Sequence, residues 1–299
     1  MMWNVQNSYE EVARDRTTGK LYLVATPIGN LEDMTYRAVR ILQEVEIIAA
    51  EDTRETRKLL SHFDIQGKKL YSHHEHNKWS SGPELVRLME EGQSIALVSD
   101  AGLPAISDPG AELVRLSIDA GIKVIPIPGA NAALSALIAS GLGTERFLFV
   151  GFLPRDRKRM DDALESFRLE SGSSLLYESP HRVVKTLERM LEVLGDRQVV
   201  LAREITKRYE QFVRGSITEC LVYLQDHAPL GECVLVVEGM SEELRLQEPD
   251  ALWWNSYSVK EHVEHYEQQQ GLTHKEAMKA AAKDRGVSRR DIYQELLAE

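Results

Sequence analysis

The chain has 299 residues, 43% of them apolar and 28% charged, and 36 Lys and Arg against 47 Asp and Glu leave a formal net charge of −11. That balance is ordinary for a globular protein and excludes a disordered or fibrous chain, and the length suits two domains better than one core. No apolar run reaches 18 residues, which argues against a membrane-spanning helix, and the bulk acidity argues against binding nucleic acid through net charge alone.

Residues 1–19 carry acids and no apolar stretch, so they do not read as a secretory signal, and a loosely ordered, flexible N-terminal segment is expected there. The strands that follow are predicted at "LYLVAT" (21–26), "VEIIAA" (45–50), "SIALVSD" (94–100) and "KVIPIP" (123–128). Amphipathic stretches separate them, among them "MTYRAVRILQEV", "TRETRKLLSHF", "GPELVRLMEEG" and "DPGAELVRLSIDAG". Near-continuous apolar strands alternating with helices indicate a mostly parallel sheet covered on both faces. Gly92 and Gly121 stand where helices stop. Asp108-Pro109 reads as a helix cap followed by proline in the first turn.

"PGANAALSALIASGLG" (128–143) predicts a small-residue helix ending at Gly141, and then the pattern restarts. "RFLFVGF", a helix from about 156, "SSLLYES", "HRVVKTLERMLEVLG", "QVVLARE", "TECLVYLQDH" and "ECVLVVEG" make a second α/β unit. The expected organisation is an N-terminal α/β domain over 20–127, a C-terminal α/β domain over 128–240, a linker over 241–256 and a helical extension over 257–299. The last two helices, joined at Gly286 with Ser288 as N-cap, have the form of a helix-turn-helix. Only Cys220 and Cys233 occur, without C-x-x-C spacing, which suits a reduced, cytoplasmic protein.

Ligands of open α/β sheets bind at the carboxyl ends of strands, so those ends carry the chemistry. "LVSDAGLPAISDPG" (97–110) is such an end. Asp100 can accept from ligand hydroxyl or amino groups, small Ala101 and Gly102 admit a ligand to the backbone, and two prolines stiffen the loop. Asp108 is read as the helix cap, with no ligand role. "TPIGNLED" (26–33) lacks both a G-x-G-x-x-G and a Walker pattern and has no Lys, so a phosphate cradle is not expected. "AEDTRETRK" (50–58) gathers Glu51, Asp52, Arg54 and Arg57; the two arginines share a helix face and suit a phosphate backbone. "YSHHEHNK" (71–78) holds His73, His74, Glu75 and His76 at spacings that fit no usual zinc site, so no metal is expected. "RDRKR" (155–159) offers Arg155, Arg157 and Lys158, and "AREITKRYE" (202–210) offers Arg203, Glu204 and Lys207 as an anion-binding and acid–base group. Residues 272–290 carry six Lys and Arg against two Asp and Glu. Each cluster also reads as a solvated surface or an ordinary turn.

"VATPIGNLEDMT", "AEDTRET", "LVSDAGLPAISDPG", "PIPGANA", "GFLPRDRK", "YESPHR", "AREITK" and "GECVLVVEG" occur together and in order. Over about residues 20 to 240 they closely resemble the ribosomal RNA small subunit methyltransferase I family, the bacterial 16S rRNA cytidine-2'-O-methyltransferases of the tetrapyrrole-methylase-like superfamily. The resemblance implies a class III, S-adenosylmethionine-dependent enzyme with two α/β domains, the cofactor in the cleft between them, and a homodimer without membrane association. It implies a decoding-region cytidine of 16S rRNA, within the small ribosomal subunit, as substrate. It maps the cofactor site onto Asp100, Ala101, Gly102, Ser107, Pro128 and Ala130, with Tyr177 and Ala202 from the second domain. It leaves the proton acceptor open. Glu204, Lys207 and Asp52 are the candidates, with Glu51 and His76 as alternatives, on the expectation that the "AREITK" and "AEDTR" turns meet across the cleft. A small-molecule, tetrapyrrole-like methylase and a non-enzymatic ribosome-binding factor remain alternatives at this point.

Overall fold

The structure is a computed structural model and describes residues 6–8, 18–241, 254 and 257–298. Its contacts divide into two compact units, Met1–Gly239 and Met240–Glu299.

The first unit holds two five-stranded sheets. Sheet one contains β1 (Lys20–Val24), β2 (Ile47–Ala50), β3 (Lys69–Ser72), β4 (Ile95–Val98) and β5 (Lys123–Ile127), in the order β3-β2-β4-β1-β5 and all parallel. The tetrapeptides IIAA and IALV of β2 and β4 are buried at every position. Continuous apolar composition without alternation follows from this, because helices cover both faces. α1 (Tyr36–Glu44) and α2 (Thr53–His62) pack on one face, and α3 (Lys78–Glu90) and α4 (Ala111–Asp119) on the other. Chain direction therefore reverses between neighbours β1 and β4: β1 leads to β2 on one side, and β4 leads to β5 on the other. Such a reversal opens a crevice at the carboxyl ends of the two strands.

Sheet two runs β6 (Phe147–Phe152), β7 (Ser173–Glu178), β10 (Cys233–Val237), β8 (Gln198–Arg203) and β9 (Gln211–Ser216). Only the β6–β7 pair is parallel. α6 (Arg157–Ser166), α7 (Val183–Leu194) and α8 (Ile217–Asp226) cover one face. α5 (Ala132–Ser140) covers the other, laying Ala133, Ala136 and Leu137 on Leu175, Val200, Ala202 and Val236. Its alanines let the helix backbone approach the sheet closely. Asn131 caps its first turn, and Gly141 ends it in the left-handed conformation.

Two strands escaped the sequence pattern. β3 is the sheet-one edge strand and is no more than half-buried, so KLYS carries no apolar run. β9 is the edge of sheet two, and its QFVRGS is likewise half-exposed. Edge strands lack the two-sided cover that makes a strand legible. The flexible-segment reading of 1–19 lies mostly outside the described residues. Where it does not, the Gln6 amide bonds both backbone groups of Val124 at 2.9 Å, and Lys123 Nζ donates to the Asn7 carbonyl at 2.8 Å. The linker 241–256 lies almost wholly outside the described residues.

The second unit packs α9 (Val259–Gln270), α10 (His274–Asp284) and α11 (Arg289–Ala298) around Val259, Val263, Ala277, Met278, Ala281 and Ile292. Ser258–Glu261 and Thr273–Glu276 form capping boxes, and Ser288 caps Asp291 reciprocally.

Candidate functional site

The loops that leave β1 and β4 are joined by a short antiparallel bridge. Thr26 N donates to Gly102 O at 2.9 Å and Gly102 N to Thr26 O at 3.0 Å. Gly102 is buried with φ +80°, a conformation that L side chains rarely adopt. Beyond it, Ala105 and Ser107 also have positive φ, at 68° and 61°. Non-glycine residues hold such angles only where their surroundings over-determine them, and they gather at functional sites.

This loop forms one wall of a cleft of about 370 Å³. Ala101, Gly102, Ser107 and Asp108 line it from sheet one, together with Asn131 and Ala132 at the start of α5. Phe152, Tyr177, Glu178, Glu232 and Val234 line it from the strand ends of sheet two. The lining is mostly apolar, carries three carboxylates and contains no Lys or Arg among the described residues. A ligand that suits it is a partly apolar molecule that is not a phosphate compound and bears positive charge.

Of the residues assigned to the cofactor from sequence, Ala101, Gly102, Ser107 and Tyr177 line this cleft. Asp100 is not among the residues that line it. Its Oδ1 accepts from Asp52 N at 3.1 Å, and it lines a neighbouring hollow of about 260 Å³ with Thr26, Gly29, Glu55 and Lys58. Pro128 and Ala130 lie on the β5–α5 connection, where the Ala130 carbonyl is 3.6 Å from the point a Gly102 Cβ would occupy. Ala202 has no exposed surface, is covered by α5 and is not among the residues that line the cleft.

Asp108 does not cap α4 as the sequence pattern predicts. α4 begins at Ala111 and its N-cap is Gly110, at φ 135°, with no side-chain bond to the first turn. The Asp-Pro pair is therefore not a cap, and Asp108 is among the residues that line the cleft. Burial, with Glu51 and Asp100 nearby, pushes its pKa up to about 7, against the influence of the Ser99 hydroxyl. Glu51 is raised too, first by burial and then by Asp100.

Asp52, Glu204 and Lys207 are placed otherwise than expected. Asp52 caps α2 through Arg54 N at 2.8 Å and pairs with the Arg54 guanidinium at 2.6 Å. Those bonds hold its carboxyl well below the usual range, which makes it a weak proton acceptor. Lys207 Nζ sits 3.0 Å from Glu204 and 2.9 Å from Glu232. Burial draws its pKa down, but the two carboxylates outweigh burial and leave it raised. Burial would lift Glu204, yet the Glu232 amide and Lys207 hold it low. The pair satisfies itself, and neither member is poised to take a proton at neutral pH.

The expected meeting of turns is also corrected. The 203–210 turn lies against the 26–33 turn: the Lys207 stem crosses Gly29, whose Cβ would stand 2.4 Å from Lys207 Cγ. Thr206 Oγ1 donates to Asp33 at 2.5 Å. Gly29 thus leaves the room through which the two sheets are tied together.

Among the basic residues, Arg57, Arg155, Arg157 and Lys158 are exposed. The last three stand at the start of α6, where Asp156 caps the helix, so their charge adds to the positive helix end. Arg203 is half-buried at the end of β8, with a buried Nε that has no hydrogen-bond partner, and is not on open surface. Arg54 is 81% exposed and shares its charge with Asp52. Arg54→Ala is therefore expected to weaken binding of a phosphate backbone only several-fold, with the salt slope reduced by about 1; filter-binding titrations at several salt concentrations check this. His73 is buried, with Nδ1 2.8 Å from Ser81 Oγ on α3 and Nε2 3.0 Å from Glu112 on α4. Among the described residues, no group of three His, Cys, Asp or Glu side chains is placed to hold a metal.

Residues 20–221 match the family model of the Tetrapyrrole (Corrin/Porphyrin) Methylases. The chain is 55% identical to "Ribosomal RNA small subunit methyltransferase I" of Halalkalibacterium halodurans, over 96% of this chain and 97% of that one. It is 51% identical to the protein of the same name from Bacillus subtilis, over 92% and 93%. Among solved structures it is similar in fold to a uroporphyrin-III-C-methyltransferase of Thermus thermophilus, with TM-score 0.52 and 23% identity, covering 74% of this chain and 94% of that one. A diphthine synthase is similar at TM-score 0.56 and 15% identity, covering 74% and 90%.

Proposed function

The chain belongs to the tetrapyrrole methylase family, and within it to the ribosomal RNA small subunit methyltransferase I proteins, and on that premise we propose that it methylates the ribose 2'-oxygen of a cytidine in the decoding region of 16S rRNA. The coarser reaction is methylation of ribosomal RNA, with S-adenosylmethionine as the methyl donor. The observation that carries the reading is the cleft between the sheets, which joins small residues and exposed backbone to three carboxylates and no basic side chain among the described residues. That chemistry fits a cofactor with an adenine, a zwitterionic amino acid and a sulfonium.

S-adenosylmethionine, when bound, supplies a methyl group on an already activated leaving group. The protein's share is then positioning and the handling of one proton. In this reading Gly102 and Ala101 admit the cofactor to the backbone, Tyr177 and Ile28 give apolar walls, and Asn131 and Ser107 offer polar contacts. Arg57, Arg155, Arg157 and Lys158 meet RNA phosphates, and the assembled small subunit is the substrate. The domain boundary of this reading lies at 127/128, and the working form is a cytoplasmic homodimer. No helix among the described residues is long and apolar enough to cross a membrane.

The test is transfer of a tritiated methyl group from the cofactor to isolated small subunits, followed by alkaline hydrolysis of the labelled RNA. A 2'-O-methyl blocks cleavage at its own nucleotide, so label in an alkali-resistant cytidine dinucleotide supports the reading. Label in a base, or transfer to porphyrin precursors instead, defeats it. The second unit is assigned to substrate engagement. A chain ending at Gly239 is expected to keep cofactor affinity within about threefold, while binding the small subunit at least tenfold more weakly and with a shallower salt dependence. Loss of cofactor binding on calorimetry would place the helices within the catalytic core instead.

A further inference from the structure

Three carboxylates line the cleft, and two of them are committed elsewhere. Glu178 is 3% exposed, accepts from Thr186 Oγ1 at 2.7 Å and from Ser179 N at 2.8 Å, and has Arg182 at 3.5 Å. Glu232 pairs with Lys207. Asp108 has no ion-pair partner among the described residues. It faces Ser99 and Asp100 from the end of β4, Glu51 from the end of β2, and Tyr177 from β7. The backbone that delivers it is held at two positive-φ residues, Ala105 and Ser107, and ends at Gly110, the α4 N-cap, so the Asp108 side chain does not cap the helix. Strained backbone that sets a carboxyl with no cation beside it among the described residues, and only the Ser99 hydroxyl to bond, at the wall of a binding cleft, instead of letting it cap a helix, is a costly arrangement.

We propose that Asp108 is the catalytic proton acceptor, taking the proton of the substrate ribose hydroxyl as that oxygen is methylated. The inference rests on the reaction proposed above. The hydroxyl oxygen forms its bond to the methyl carbon as the methyl–sulfur bond breaks. The electron pair of that bond stays with sulfur, which leaves as a neutral thioether, and the hydroxyl proton passes to an Asp108 oxygen. Charge balances, because one cation and one carboxylate become two neutral groups. Burial and the acidic neighbours give Asp108 a proton affinity matched to neutral pH. A cation in the cleft favours its carboxylate form, so the base is ready when the cofactor is in place.

The experiment compares wild type, Asp108→Asn and Asp108→Glu as full-length protein. Three quantities are read: cofactor affinity by calorimetry, the carboxyl titration of the ligand-free protein by carbon-13 NMR, and single-turnover methylation of small subunits at saturating cofactor between pH 5.5 and 9. Wild type is expected to show one Asp carboxyl titrating near neutrality, absent in Asp108→Asn. Its single-turnover rate is expected to rise with pH along a limb that lies below that midpoint. Asp108→Asn is expected to lose about 10²–10⁴-fold in rate and the limb with it, while cofactor affinity stays within about threefold. Asp108→Glu recovers part of the rate. Methylation by Asp108→Asn at the wild-type rate overturns the proposal. So does a cofactor affinity at least tenfold weaker with an unchanged saturated rate, since Asp108 would then be a counter-ion for the cofactor. Transfer by wild type to an atom other than a ribose oxygen overturns the reaction itself, and the proton step with it, whatever the variant does.

Discussion

Ala101→Leu is expected to weaken cofactor binding at least 100-fold while leaving the melting temperature within about 2 °C. Ala101 is exposed on the cleft wall and its backbone does not have positive φ, so a longer side chain can be accommodated by the fold and projects where the ligand would lie. Substituting the adjacent Gly102 is a poorer probe. A valine there would have to adopt φ +80° and would disturb the Thr26 bridge, so lost binding and lost stability would arrive together. Paired calorimetry and thermal melts decide the matter. Unchanged affinity in a folded Ala101→Leu protein would move the cofactor out of this cleft, and the 260 Å³ hollow beside Asp100 would become the place to look.

The outline of this fold was readable because central strands announce themselves. β2, β4, β8 and β10 are buried on both faces and appear as unbroken apolar runs, whereas β3 and β9 lie on edges and do not. Helix ends were equally legible at Ser288, whose side chain performs the capping, and at Gly141, which ends its helix in the left-handed conformation. The same rule misled at Asp108, where the residues spell a cap but a glycine at φ 135° starts the helix two positions later. The strand-end reading pointed to Ala101 and Gly102, and the family resemblance to Ser107 and Tyr177, all four of which line the cleft. What no local pattern carries is which charged group meets which. Lys207 is neutralised by Glu232, 25 residues away in sequence, and the turn it belongs to rests on Gly29, not on the 51–57 turn. Pairing of that kind is decided by tertiary placement, and with it goes the distinction between a spent ion pair and an available base.

That distinction has a thermodynamic signature in Asp108→Asn. The Asp108 carboxyl titrates at about 7 in the folded chain, against about 3.9 in an unfolded one. Between those values the folded protein holds the extra proton, so stability falls as pH rises from about 4 to about 7. Above pH 7 the folded chain carries a charge near Glu51 and Asp100, and among the described residues no ion pair to Asp108 offsets it. Asparagine keeps the shape and removes the charge. The variant is therefore expected to be more stable than wild type at pH 8, by about 1–2 kcal/mol once solvent screening of this partly buried group is allowed for. For a domain of this size that is a rise of about 3–6 °C in melting temperature. At pH 4 Asp108 is protonated in the folded wild type, and the difference is expected to vanish. Melts of ligand-free protein at the two pH values measure it. A variant less stable than wild type at pH 8 would mean that the carboxylate is held by favourable bonds. A group so held would be a structural anchor like Asp52, and the cost of exposing a base in the cleft would not be borne by the fold at this residue.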